Sequence, residues 1–135
     1  MTDTLRLEVV TPSRRVLEAR ASEVRIPGAL GELGVLPGHT PLLTSLGTGE
    51  LKWTAGSEHG RLVVQGGFAE VRPDSVTVLA MVAETADQVD LEAAVQAHAE
   101  ATEKLKTATA EEFDELDATV RLAEVRKLVA SGGGS

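Results

Sequence analysis

Apolar and polar residues alternate with period two over the first sixty per cent or so of the chain, which is the spacing of half-buried strands. Leu5, Leu7 and Val9 alternate with Arg6, Glu8 and Val10, and Thr11-Pro12-Ser13 turns the chain. Arg15 to Ala19 reads as a second strand and Ser22 to Ile26 as a third, with Val24 and Ile26 inward. After a glycine- and proline-rich stretch, Leu42 and Leu43 open another short extended segment that Gly47-Thr48-Gly49 breaks. Glu50 to Thr54 places Leu51 and Trp53 on one face, Ala55 to Glu58 forms a hairpin turn, and Arg61 to Val64 returns. Gly66-Gly67 permits a bend or bulge before Phe68 and Val71. Pro73-Asp74-Ser75 turns again, and Val76, Val78 and Ala80 alternate with Thr77, Leu79 and Met81. Short strands punctuated this regularly predict a β-sandwich or flattened barrel over residues 1–86.

The period changes near Ala86. Asp90 is placed to cap a helix carrying Leu91, Val95, His98, Ala101 and Leu105 on one face. Thr109 and Glu112 have capping-box spacing. Phe113, Leu116, Val120 and Ala123 then recur at helical intervals, and Leu122, Val125 and Val129 widen the face. The prediction is an antiparallel helical hairpin over 87–130, packed mostly through Ala and Val and therefore marginally stable. The fold class is α+β. Residues 131–135, SGGGS, have flexible-linker composition.

Between the third and fourth strands runs IPGALGELGVLPGHTPLL, from Ile26 to Leu43. Gly28, Gly31, Gly34 and Gly38 with Pro27, Pro37 and Pro41 exclude a long helix. The stretch predicts tight turns between very short strands, anchored by Leu33, Val35 and Leu36. Glu32 and His39 stand among the turn residues. An ordered loop with isolated polar groups suits recognition; the same residues also suit a purely structural set of turns with both side chains solvated.

Charge and composition narrow the function. The formal net charge is −8 and no basic stripe is present, which argues against nucleic-acid binding. The aromatic residues are Trp53, Phe68 and Phe113, too few for base-stacking platforms. Cysteine is absent, so disulfides and thiolate chemistry are excluded. No apolar run has bilayer-spanning length, and the N-terminus lacks a signal-peptide pattern. There is no P-loop, no dinucleotide fingerprint and no nucleophile elbow. His39, His59 and His98 fall in separate predicted elements, so neither a metal site nor a catalytic residue is predicted. Residues 89–135 carry a net charge of −5. Within them, acids gather from Glu111 to Asp117 and the bases Arg121, Arg126 and Lys127 follow, an order that the helix dipole favours. A basic helix end also fits docking against an acidic surface.

GELGVLPGHTPLL, from Gly31 to Leu43, closely resembles the motif of the ε subunit of rotary proton-translocating (F-type) ATP synthases. The resemblance extends through VTP (Val10 to Pro12), VVQGGFAEV (Val63 to Val71), VTVLA (Val76 to Ala80) and the Ala83–Ala86 segment leading to Asp90. It implies a non-catalytic rotor, or central-stalk, subunit that binds γ and rests on the c-ring, with Glu32, His39, Gly31 and Gly38 in the ring-facing loop. It also implies a hairpin that extends along γ and restrains ATP hydrolysis, with Arg121, Arg126 and Lys127 meeting acidic loops of the catalytic β subunits. The implied location is peripheral, on the cytoplasmic face of a bacterial inner membrane; no transit-peptide pattern is present. ATP-binding members of the family carry I/L-D-x-x-R-A at the start of the first helix. Here Asp90 matches, but Ala93 stands where the arginine would be. A vestigial nucleotide site with weak or no ATP binding, and no cofactor, is therefore expected. Two alternatives remain at this stage: an ATP-sensing regulatory subunit, or a free-standing β-sandwich adaptor.

Overall fold

The structure, a computed structural model, describes residues 4–132, so Gly133 to Ser135 of the expected tail lie outside the described residues. Eight strands precede two helices: β1 (Leu5–Val10), β2 (Arg15–Ala21), β3 (Glu23–Gly28), β4 (Gly31–Val35), β5 (Leu42–Ser45), β6 (Thr48–Ala55), β7 (Glu58–Arg72) and β8 (Ser75–Thr85), then α1 (Leu91–Leu105) and α2 (Ala110–Ala130). Period-two patterning translates directly into burial. Leu5, Leu7 and Val9 are buried from β1, Val24 and Ile26 from β3, and Val76, Val78 and Ala80 from β8. Large side chains such as Leu5, Leu7, Ile26, Leu51 and Leu62 are wholly inside, and each contributes about 1.5–3 kcal/mol through burial.

The strands run β2-β1-β8-β7-β6-β3-β4, with β5 pairing to β7 off this path. All named pairs are antiparallel except β1 with β8, which is parallel. The 15-residue β7 serves two partners in succession. Its residues 58–65 pair with β6, whereas Phe68 to Val71 pair with β5. The change falls at Gly66 and Gly67, both with positive φ, where Leu46 donates its N–H to the Gly67 carbonyl at 2.9 Å. Only glycine takes such a conformation without strain, and the bend lets one strand pass from one layer to the other.

The sheet is folded over as a sandwich but is not closed, so the flattened-barrel alternative is corrected. β5 has only four residues and meets the β3 side through an isolated bridge, Gly28 to Leu46, rather than a ladder. The path therefore ends on two edge strands, β2 and β4. β2 carries Arg15, Glu18 and Arg20, charges that discourage edge-to-edge pairing.

After β8 the chain makes a single 3-10 turn, Ala86–Gln88, that the periodicity does not predict. The Gln88 side chain accepts the Thr85 N–H at 3.0 Å and an Arg14 guanidinium N–H at 3.1 Å, which ties the connector to the β1–β2 turn. The Thr85 hydroxyl donates to Asp87 at 2.7 Å and holds that carboxyl below its ordinary range.

Asp90 caps α1 by accepting the Ala93 N–H at 3.0 Å. Thr109 and Glu112 form a reciprocal capping box at the start of α2. The predicted apolar faces are buried only in part. Leu91, Val95 and Phe113 are 43%, 48% and 49% exposed. Ala101, Ala123 and Val129 are buried as that face predicts, and Ala94, which it leaves out, is buried with them. Small side chains allow close backbone approach, so the alanines set the seam and rotate the larger residues outward. Leu36, expected as a loop anchor, is likewise exposed, and Val35 fills that role with no exposed surface.

Candidate functional site

The Ile26–Leu43 stretch becomes a β-hairpin followed by an anchored loop. β3 and β4 pair from Val24–Val35 to Gly28–Gly31, leaving Ala29 and Leu30 at the tip. The Leu30 side chain is fully exposed. Gly28 sits opposite Gly31, and a Cβ on Gly28 would meet the Gly31 carbonyl oxygen at 2.8 Å, so the tight tip depends on a residue without a side chain there.

Glu32 lies on the outer face of β4. Arg25 of β3 donates to it at 3.2 Å, and the Lys52 ammonium of β6 stands 3.9 Å away. Lys52 is 3.8 Å from Glu50, and Glu50 is paired with Arg61 of β7. Opposite charges thus alternate across four adjacent strands, with Glu32 at the free edge. The pairs that Glu32 itself makes with Arg25 and Lys52 are exposed and contribute about 0–1 kcal/mol each, so Glu32 retains capacity to accept from a partner. The chain spacing showed Glu32 but not Arg25, Lys52, Glu50 or Arg61. These become neighbours only through cross-strand register, which a single strand's pattern does not contain.

Gly38 and His39 are placed elsewhere. Gly38 donates its N–H to the Pro73 carbonyl at 2.7 Å, and His39 donates its own to Leu36 at 3.1 Å. The His39 ring Nδ1 lies 2.6 Å from the Thr40 carbonyl. β4 separates the two pairs, roughly 13 Å of strand at 3.3 Å per residue. The structure therefore does not gather Gly31, Glu32, Gly38 and His39 into one cluster; it sets them at opposite ends of one edge strand.

A second surface was not singled out by sequence. Val10, Leu79 and Phe68 are register neighbours on β1, β8 and β7, facing away from the core. Phe68 and Leu79 are each 53% exposed, and Met81, two residues along β8 from Leu79, is 65% exposed. Val10, Phe68, Leu79 and Met81 line one shallow groove and make an apolar strip. The outward positions of these strands are legible from alternation; that they align across strands is not.

On the hairpin, the three expected bases differ. Arg121 pairs with Asp117 one turn earlier, at 3.1 Å. Arg126 reaches across to β8 and donates twice to Glu84, at 2.8 and 2.9 Å. Lys127 lies in the last turn of α2. Asp90 and Ala93, the candidate nucleotide remnant, meet each other in the α1 cap. Among the described residues, no group of three or more His, Cys, Asp or Glu is placed to hold a metal ion. No helix among them is long and apolar enough to cross a membrane.

Fold and surfaces together define a two-part protein: a β-sandwich presenting an edge hairpin and an apolar strip, followed by a docked helical hairpin. Residues 4–86 match the β-sandwich domain of the ATP synthase delta/epsilon chain. The whole chain is similar to ATP synthase epsilon chain 2 of Syntrophotalea carbinolica, with 43% identity over 99% of both chains. It is equally similar, at 43%, to the ATP synthase epsilon chain of Geotalea uraniireducens, over 97% of this chain and 96% of the relative. The chain belongs to the ATP synthase epsilon chain family. The fold matches a chain of the Euglena gracilis mitochondrial ATP synthase OSCP/F1/c-ring structure with a TM-score of 0.81. That match has 23% identity and covers 97% of this chain and 82% of the other. A chain of the Tetrahymena thermophila ATP synthase central stalk and c-ring structure matches at TM-score 0.61 and 18% identity, over 91% and 96% of the two chains.

Proposed function

We propose that this chain is a non-catalytic central-stalk subunit that couples rotation of the c-ring to the catalytic head, peripheral to the membrane on its cytoplasmic face. The observation that carries the reading is the pairing of two unlike surfaces on one rigid sandwich. The β3–β4 hairpin, with Glu32 on its outer face and the exposed Leu30 at its tip, offers a stiff contact for the ring, and the free edge of β4 continues that surface toward Gly38 and His39. The strip of Val10, Phe68, Leu79 and Met81 offers the apolar area that a lasting contact with γ requires. Torque passes between the two contacts through hydrogen-bonded strands.

The test is binding to γ. The wild-type chain should co-elute with purified γ at micromolar concentration. Phe68→Asp with Leu79→Asp should lower affinity by at least about a hundredfold, because two buried aromatic or aliphatic anchors would become desolvated charges. Both side chains are half exposed in the free chain, so the variant should keep the wild-type circular dichroism spectrum. Retained γ binding by the folded variant would move the contact elsewhere.

The hairpin is proposed to contact the catalytic β subunits when extended, through Arg121, Arg126 and Lys127. Its net charge of −5 opposes docking on acidic loops, so the restraint on hydrolysis is expected to be weak.

Nucleotide binding is proposed to be weak or absent. The Ala93 N–H is already used by Asp90, and Ala93 supplies neither the charge nor the forked donors of an arginine. Losing one bidentate arginine–phosphate contact costs about 1.5–3 kcal/mol, or ten- to a hundredfold in affinity. Isothermal titration with MgATP at low salt should show no saturable binding at micromolar nucleotide, and Ala93→Arg should restore some. Saturable micromolar binding by the unaltered chain would contradict the explanation.

A further inference from the structure

The hairpin rests on the sandwich through two features three residues apart on α2, and therefore on one helical face. Val129 is fully buried and lines a pocket with Leu17, Trp53 and Leu62. Arg126 grips Glu84 of β8 with two parallel hydrogen bonds, at 2.8 and 2.9 Å. The Arg126 and Glu84 side chains are 31% and 24% exposed, so the pair is better shielded than the exposed ion pairs around Glu32. Planar bidentate pairing adds direction as well as energy. The seam between the helices is built from alanines, so little apolar area otherwise holds them in place. Arg14 lines the same cleft as Arg126 and Glu84. Without the carboxylate, two guanidinium groups would share that cleft.

We propose that the Arg126–Glu84 pair is the catch that keeps the hairpin folded against the sandwich. Docked, Arg126 is committed to Glu84 and is withheld from any acidic partner. Undocked, the hairpin and its base become available together. The two states therefore compete for one guanidinium, which makes the catch a switch and more than a point of adhesion.

The test is a double-mutant cycle on the full chain, using Glu84→Gln, Arg126→Gln and the combination. Hydrogen exchange of α2 amides is the first readout, since a released hairpin of this length is marginal in water. Emission of the sole tryptophan is the second, because Trp53 and Val129 line one pocket. Each single substitution should speed α2 exchange about tenfold, the worth of a charge-assisted bidentate pair at a partly shielded site. Trp53 emission should shift to the red, while exchange in β7 and β8 stays at the wild-type rate. The double variant should open no further than the larger single. Single substitutions that change α2 exchange less than twofold would overturn the proposal, as would single effects that multiply in the double. The measurement needs no other subunit, so its failure would leave the proposed role in the complex standing.

Discussion

Gly67→Ala is expected to destabilise the sandwich by about 3 kcal/mol or more, lowering the midpoint of thermal unfolding by roughly 10 °C. Gly67 has a φ of 97°, and a Cβ built there would lie 1.9 Å from the Leu79 carbonyl oxygen. The obstacle is backbone from a paired strand, so no rotamer change relieves it. Either β7 and β8 separate at the bend or the Leu46–Gly67 hydrogen bond is lost, and the strand can no longer change layers. Gly66 provides the internal control. Its φ is 68°, but an added Cβ would meet only the Met81 side chain, at 3.4 Å. Gly66→Ala should therefore cost only the conformational penalty, about 1–2 kcal/mol. Calorimetry of both variants checks the ranking. Equal midpoints, or a Gly67→Ala variant as stable as wild type, would contradict the assigned bend.

Glu32→Lys is expected to lower ATP-driven proton pumping severalfold in the assembled enzyme while leaving most ATP hydrolysis intact. Glu32 stands at the free edge of the charge ladder, half exposed and held by Arg25 and Lys52 at 3.2 and 3.9 Å. A lysine there faces two like charges and presents the wrong sign to a polar or basic ring loop. Glu32→Gln separates these effects, because it removes the charge without creating repulsion inside the sheet. It should lose less pumping than lysine, with a difference of about 1 kcal/mol or fivefold. Proton pumping and hydrolysis measured on the same membranes decide the matter. Equal loss of both, or loss of neither, would remove Glu32 from the coupling surface.

How much of this was legible in the chain depends on the kind of contact. Strand positions such as Leu5, Leu7, Val9, Val76 and Val78 follow from alternation, because burial on one face has the same period as the backbone pleat. Asp90, Thr109 and Glu112 could be read as caps because capping is local and its partners lie within three residues. The helical seam was less legible. Periodicity favours Leu91, Val95 and Phe113 as much as Ala101, Ala123 and Val129, whereas the folded hairpin buries only the latter three, together with Ala94. Glu32 was visible as a lone acid in a turn-rich motif, but its ladder partners were not. Arg126 and Glu84 lie 42 residues apart and meet only because the hairpin folds back on β8. The resemblance put Gly31, Glu32, Gly38 and His39 in one ring-facing loop; β4, one of the very short strands that the glycine- and proline-rich stretch predicts, sets Gly38 and His39 apart from the hairpin tip because Gly31 to Val35 form it.

The most direct measurement of the central claim is proton-driven ATP synthesis in membranes depleted of this subunit and resupplied with residues 1–88. The endpoint keeps Gln88, whose side chain ties the connector to Thr85 and Arg14. The buried cluster from Leu5 to Ala83 belongs wholly to the strands and the segment joining β5 to β6, so the fragment should fold cooperatively, bind γ and restore synthesis close to the level of the full chain. A fragment that is unfolded by circular dichroism, or that folds and leaves synthesis uncoupled where the full chain restores it, would contradict the account.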